Sequence, residues 1–209
     1  MVRAGRKGLI VGFFILVMMG AAGAHPQTVL DADDTSGPLD IVAARAKHRV
    51  LEQTVTHGGG ARTTTTLYFR LVTYETWSND AISGAKRFIS FEFDRDGDDD
   101  AERCVVITDD DEPELIGRVY RGCDYEQDEL IGAVSASRRD AHSVRFSIEK
   151  RDLGRRLTSV RWRALTSFEE PGNEDCPHQG PPGDGGYGSC VDRTSWKRHR
   201  LEGSGGPGG

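Results

Sequence analysis

The chain has 209 residues, of which 27 are Lys or Arg and 33 are Asp or Glu, for a formal charge of −6, and 36% are hydrophobic. The acidic balance excludes a general affinity for nucleic acid or for anionic membrane surfaces. The length suits one domain with terminal extensions.

Residues 1–24 open with Arg3, Arg6 and Lys7, continue through an apolar run from about Leu9 to Met19, and end in Ala22-Gly23-Ala24. This is the layout of a secretory signal peptide cleaved after Ala24. The uncharged stretch 8–24 has 17 residues interrupted by glycine. That is at the short limit for a spanning helix, so no membrane span is expected after cleavage. Loss of this segment removes three bases and no acid, leaving a charge of −9. The remaining protein is expected to be secreted, extracellular or at the cell surface.

Residues 25–38, "HPQTVLDADDTSGP", are polar and aperiodic and read as a flexible leader. From 39 to 170 apolar and polar residues alternate in short runs: 66–77, 87–93, 103–108, 114–122, 130–137, 143–150 and 159–168. The segment 39–57, "LDIVAARAKHRVLEQTVTH", admits a helix or strands, and its rising Val and Thr content favours strands. The fold class predicted is all-β, an antiparallel β-sandwich of about eight or nine strands. Residues 171–209 hold 11 of the 26 glycines and five of the eight prolines, which predicts a loop and a disordered tail.

An even count of four cysteines in an exported chain predicts two disulfides, and three pairings are possible. If 87–93, 103–108 and 114–122 are consecutive hairpin strands, Cys104 and Cys123 are equidistant from the turn between their strands and face one another. The pairing predicted is therefore Cys104–Cys123, with Cys176–Cys190 by elimination, closing the Gly/Pro-rich loop.

Residues 90–130 contain 16 acids and four bases. Within them Asp94, Asp96, Asp98, Asp100 and Glu102 recur at every second position around Gly97. A short loop of alternating carboxylates can wrap a hard cation, which makes these five the candidate metal ligands and Ca²⁺ the candidate ion. A second acidic loop, 124–129, is predicted at the same end of the sheet, where Asp124 or Asp128 would add ligands. The alternative is a solvated turn that discourages edge pairing. The acidic segment 108–114 reads as a plain turn.

Other chemistries are less well supported. "HGGG" at 57–60 has the form of an esterase oxyanion loop, but no G-x-S-x-G elbow accompanies it. A zinc set from Cys176, His178, Cys190 and His199 competes with disulfide formation. Of the tryptophans, Trp162 alternates with Val160 and Ala164 and is expected in the core, Trp77 is expected to be partly exposed, and a sugar platform including Trp196 is thinly founded.

The stretches "GPLDI" (37–41), "LVTYETW" (71–77), "ISFEFDRDGDDDAER" (89–103), "DAHSVRFSIEKRDLG" (140–154) and "VRWRALTSF" (160–168) are similar in layout to the exported carbohydrate-binding-module-9-like, or DOMON-like, β-sandwiches. Those carry an "FDTDGD" hairpin followed by an "ER" strand. The resemblance covers about 130 residues and implies an extracytoplasmic ligand-binding or accessory module whose partner is a glycan or a cell-envelope component. Asp94, Asp96 and Asp98 match the acidic hairpin, with Arg95 where the family has threonine. Haem-binding members need an axial Met or His pair, and all three methionines lie within residues 1–24, so no haem is expected, and no nucleotide. The function expected is a non-enzymatic exported binding or surface-accessory module, calcium-stabilised at 94–102. The alternative is a metal-assisted hydrolase or lyase acting on an extracellular polymer, with His48 or His142 as the added base.

Overall fold

The computed structural model describes residues 26–33, 37–53, 62–83, 87–109, 115–124, 127–170 and 188–201. The signal segment expected at 1–24, the stretch HGGG at 57–60, Cys176 and His178 lie outside them, as does most of the acidic segment 108–114.

The chain is all-β. Its strands are β1 (Gln27–Leu30), β2 (Ile41–Gln53), β3 (Arg62–Thr73), β4 (Phe88–Asp94), β5 (Arg103–Thr108), β6 (Ile116–Arg121), β7 (Glu129–Asp140), β8 (Ser143–Glu149), β9 (Ser159–Glu170), β10 (Gly188–Arg193) and β11 (Lys197–Arg200). A 3₁₀ turn covers Asn79–Ile82, and a single helical turn, α1 (Lys150–Leu153), follows β8. Pairing is antiparallel throughout, in the order β1-β2-β3-β8-β7-β6-β5-β4-β9-β10, with β11 also on β9. The strands thus form one continuous curled path. β7 serves both halves, pairing with β6 from Glu129 to Ser135 and with β8 from Ala136 onward.

The ambiguous segment 39–57 contributes the long strand β2, paired over its whole length with β3. Its alternation is that of a one-faced strand: Ala44, Ala46 and His48 are buried, whereas Arg45, Lys47 and Arg49 are exposed. Two terminal expectations need correction. The leader contains β1, which pairs with β2 and buries Val29. The Gly/Pro-rich tail contains β10 and β11, which lie end to end along β9 and bury Cys190, Asp192, Thr194 and His199. A strand of twelve residues at β9 offers more edge than a single short partner covers, and these two segments satisfy it.

Curling brings the two halves together around aromatic side chains. Phe69 of β3 meets Phe91 and Phe93 of β4 at 5.5 and 5.2 Å, Phe146 of β8 at 5.2 Å and Trp162 of β9 at 5.5 Å. Trp162 is fully buried, as its alternation with Val160 and Ala164 predicts. Trp77 is only 5% exposed, contrary to expectation, because the Arg138 guanidinium lies 4.0 Å from its ring centre.

Titratable groups sit where β10 and β11 close the fold. Asp192 accepts a hydrogen bond from the Ile41 amide at 2.6 Å. Asp40, 2% exposed, has its carboxyl pushed up to about 7 by burial first and then by the neighbouring carboxylates of Asp192 and Asp33. Nearby in sequence, His199 faces His48 with ring nitrogens 2.9 Å apart, and burial holds His199 down at about 4 and lowers His48 as well.

The two sites bias stability in opposite directions. Asp40 binds its proton more tightly folded than unfolded, so its contribution is full below about 4 and is lost as the pH rises through about 7. The histidines bind theirs less tightly folded, so their contribution is full above about 6.5 and is lost as the pH falls toward 4. Asp40→Asn is therefore expected to stabilise the protein at pH 8 by on the order of a few kcal/mol, and to do so much less at pH 5. Urea unfolding at the two pH values checks this, and an equal gain at both would contradict it.

Candidate acidic hairpin

The acidic residues of the β4–β5 connection form one wound loop. Asp94 closes β4 and is 1% exposed. Its Oδ1 accepts the Gly97 amide at 2.5 Å, and its Oδ2 accepts the Asp99 amide at 3.2 Å. The winding needs left-handed backbone at Gly97, φ 96°, and at Asp99, φ 77°. Glycine takes this conformation freely, and aspartate is among the side chains that tolerate it. Further carboxylates turn back onto the loop: Asp98 N donates to Asp96 Oδ1 at 3.4 Å, Asp100 N to Asp98 Oδ1 at 3.0 Å, and Arg95 N to Glu102 Oε2 at 2.7 Å.

The result is convergence. Asp94, Asp96, Asp98 and Glu102 each bring a carboxylate oxygen within 4.8 Å of all the others, a group able to hold a metal ion. Asp100, the fifth ligand expected from the spacing, is not among them. Neither are Asp124 and Asp128: Asp128 Oδ2 instead accepts the Asp124 amide at 2.7 Å, closing its own loop. Crowding shows in Glu102, whose carboxyl is raised above the usual range by burial first, with Asp96 adding to it against the hydrogen bond from Arg95.

Arg161 is a participant that the spacing of the acids does not reveal. It stands directly opposite Asp94 across β9 and β4, with Nη1 3.1 Å from Asp94 Oδ2 and 3.1 Å from the Gly97 carbonyl, and it also pairs with Asp99. Two register pairs away, on the same face, Arg163 and Glu92 form a second cross-strand ion pair. Trp196 lies over these arginines, 4.3 Å from Arg163 and 5.6 Å from Arg161. The alternation "RWR" at 161–163, read against "EFD" at 92–94, is the sequence signal for this double pair. With Trp77 under Arg138, Trp162 in the core and Trp196 against arginines, the three tryptophans do not assemble a stacking platform.

The base of the hairpin is pinned by the Cys104–Cys123 disulfide, with Cα atoms 5.2 Å apart. The bond is the expected one, reached by a different route. The β5–β6 register places Cys104 opposite Tyr120, not Cys123. The chain reverses at Gly122, φ 96°, and folds Cys123 back toward Cys104. The left-handed backbone at Gly122 favours glycine, and a side chain there would also have to displace the Asp128 carboxylate, 2.3 Å away. The Gly122 amide also donates to the Glu102 carbonyl at 3.1 Å, tying the turn to the end of the acidic loop. Glu92 lies close to both sulfurs, but these are bonded to each other and are not available as ligands. Cys190 is likewise disulfide-bonded and His199 is engaged with His48, which removes both from the zinc set.

No protein-family model, no curated protein and no solved structure matches the chain. The site must therefore be read from its own chemistry. The hydrolase alternative calls for a base in a concavity beside residues 94–102. His48 is instead buried against His199, and His142 lies in the β7–β8 turn, its amide donating to Asp140. A cleft of about 240 Å³ borders the disulfide and is lined by Glu92, Cys104 and Cys123, with no histidine.

Proposed function

We propose that the protein is an exported, non-enzymatic binding or surface-accessory module whose β4–β5 hairpin is set by Ca²⁺. The observation that carries the calcium reading is the mutual approach of four carboxylate oxygens within 4.8 Å. Oxygens on opposite sides of a Ca²⁺ ion bound at about 2.3–2.6 Å are separated by about that distance or a little more. The donors are all oxygen, which suits a hard cation and disfavours softer transition metals. Mg²⁺ fits less well, since it keeps several waters and demands near-ideal octahedral geometry. Arg161 already balances Asp94, so the ion's charge is needed chiefly at Asp96, Asp98 and Glu102. Export is supported by the signal-like segment 1–24 and by the disulfide. Among the described residues no helix is long and apolar enough to cross a membrane. The binding partner in this reading is a glycan or a cell-envelope component.

Thermal unfolding in millimolar CaCl₂ and in excess chelator tests the reading. Saturation at a hundred times Kd adds about 2.7 kcal/mol, which for a domain of this size raises Tm by roughly 5–10 °C. Superimposable melting curves would remove calcium from the account.

A further inference from the structure

The outer face of β2, β3 and β8 carries an arrangement that neither the overall charge nor the acidic hairpin accounts for. Arg45, Arg70 and Arg145 are direct register partners across the three neighbouring strands, in one row that ends on Ser137 of β7. The next outward-facing row is Lys47, Tyr68 and Ser147. Both rows line a cleft of about 500 Å³, together with Arg139 and Ser135. Among the described residues Arg70 alone of these cations has a carboxylate partner, Asp140 at 3.0 Å. Arg145 uses Nε on Ser137, with no partner for its terminal nitrogens among the described residues, and Lys47 lies 5.6 Å from the Tyr68 ring centre.

Like charges directly opposite on neighbouring strands destabilise a sheet. Three guanidinium groups stand in one row and Asp140 balances only Arg70, so the row keeps an unfavourable field that an anion seated along it would relieve. A guanidinium can grip a carboxylate or sulfate through two parallel hydrogen bonds, and in this row Arg45 and the terminal nitrogens of Arg145 are placed to do so, with Arg70 held by Asp140 between them. Successive strands are spaced about 4.8 Å apart, so the row suits several anionic groups repeated along one molecule better than a single anion.

We propose that this trough binds an acidic polysaccharide, a chain of carboxylated or sulfated sugars. Ser135, Ser137, Ser147 and Tyr68 offer neutral hydrogen-bonding partners for sugar hydroxyls between the charges. A nucleic acid fits less well. Its bases would need open aromatic faces, whereas Tyr68 is the one aromatic ring on the outward rows and Lys47 lies over it. The inference gives a ligand class to the binding role proposed above and rests on that role, but not on the calcium site.

Calorimetry of the full chain at low salt tests it with four probes: polygalacturonate for carboxylates, dextran sulfate for sulfates, neutral dextran, and a single-stranded oligodeoxynucleotide. One of the acidic polymers is expected to bind, more weakly as salt rises, with neutral dextran silent. Arg45→Gln with Arg145→Gln should weaken that binding at least about tenfold, while Tm stays equal or rises because the repulsion is gone. Arg139→Gln, outside the register row, should weaken it to a lesser degree without touching the fold. Silence of both acidic polymers, binding unchanged in the arginine variants, or tighter binding of the oligonucleotide overturns the proposal. Binding of neutral dextran alone would overturn the trough while leaving a binding module in place.

Discussion

Phe69→Ala is expected to cost about 3–5 kcal/mol of folding stability, the range for removing a buried phenylalanine. Phe69 is 1% exposed and touches four other rings, two on β4 and one each on β8 and β9. It therefore joins the two halves of the curled sheet, and its loss opens a cavity that neighbours on three strands cannot all close. Total stability of a domain this size is of order 5–15 kcal/mol, so the alanine variant stands close to unfolding. Phe69→Leu, which keeps most of the volume, is expected to lose less and gives a graded reading in the same urea titration. A cost below about 1 kcal/mol for the alanine variant would mean that the two halves are not held together through this ring.

The second large effect belongs to the disulfide. Cys104 and Cys123 close a loop of sequence separation 19, and chain-entropy reasoning assigns about 3 kcal/mol to a crosslink of that size. Cys104→Ala with Cys123→Ala should therefore lower Tm by roughly 6–12 °C. The effect should extend to the acidic hairpin, because the Gly122–Glu102 hydrogen bond lies beside the crosslink and fixes the end of the loop. The double variant is expected to bind Ca²⁺ more weakly than the parent at a temperature where both are folded. Equal melting temperatures with and without the bond would show that the turn at Gly122 is held by its backbone contacts alone.

What was legible in the sequence divides along a physical line. Alternation of period two is local, so the runs around Phe91, Val105, Phe146 and Trp162 show themselves as strands without knowledge of their partners. The acidic hairpin is equally local, since Asp94, Asp96, Asp98 and Glu102 reach amides only a few residues away. Asp100 falls outside the group because spacing alone does not specify how a loop winds, which here follows from positive φ at Gly97 and Asp99.

The features that escaped depend on register between distant strands. Arg161 meets Asp94 only because β9 pairs with β4, and the row Arg45, Arg70, Arg145 exists only because β2, β3 and β8 align at those residues. β10 and β11 were hidden by their Gly-, Pro- and charge-rich surroundings, and His199, one of the few buried side chains there, signals burial only once His48 is known to face it. Even the correct cysteine pairing rests on a symmetric hairpin in the sequence reading, whereas the observed bond uses a glycine reversal two residues past the register partner of Cys104.

The most direct test of the account is a calorimetric titration of CaCl₂ into the chelator-stripped full chain, alongside the variant Asp96→Asn with Asp98→Asn. Both substituted residues contribute to the convergent group, and neither bears the Arg161 ion pair, so the fold is expected to survive the change. The account predicts saturable binding of one ion by the parent and its loss in the variant. No binding heat for the parent at any temperature tried, or the same isotherm for both proteins, would contradict it.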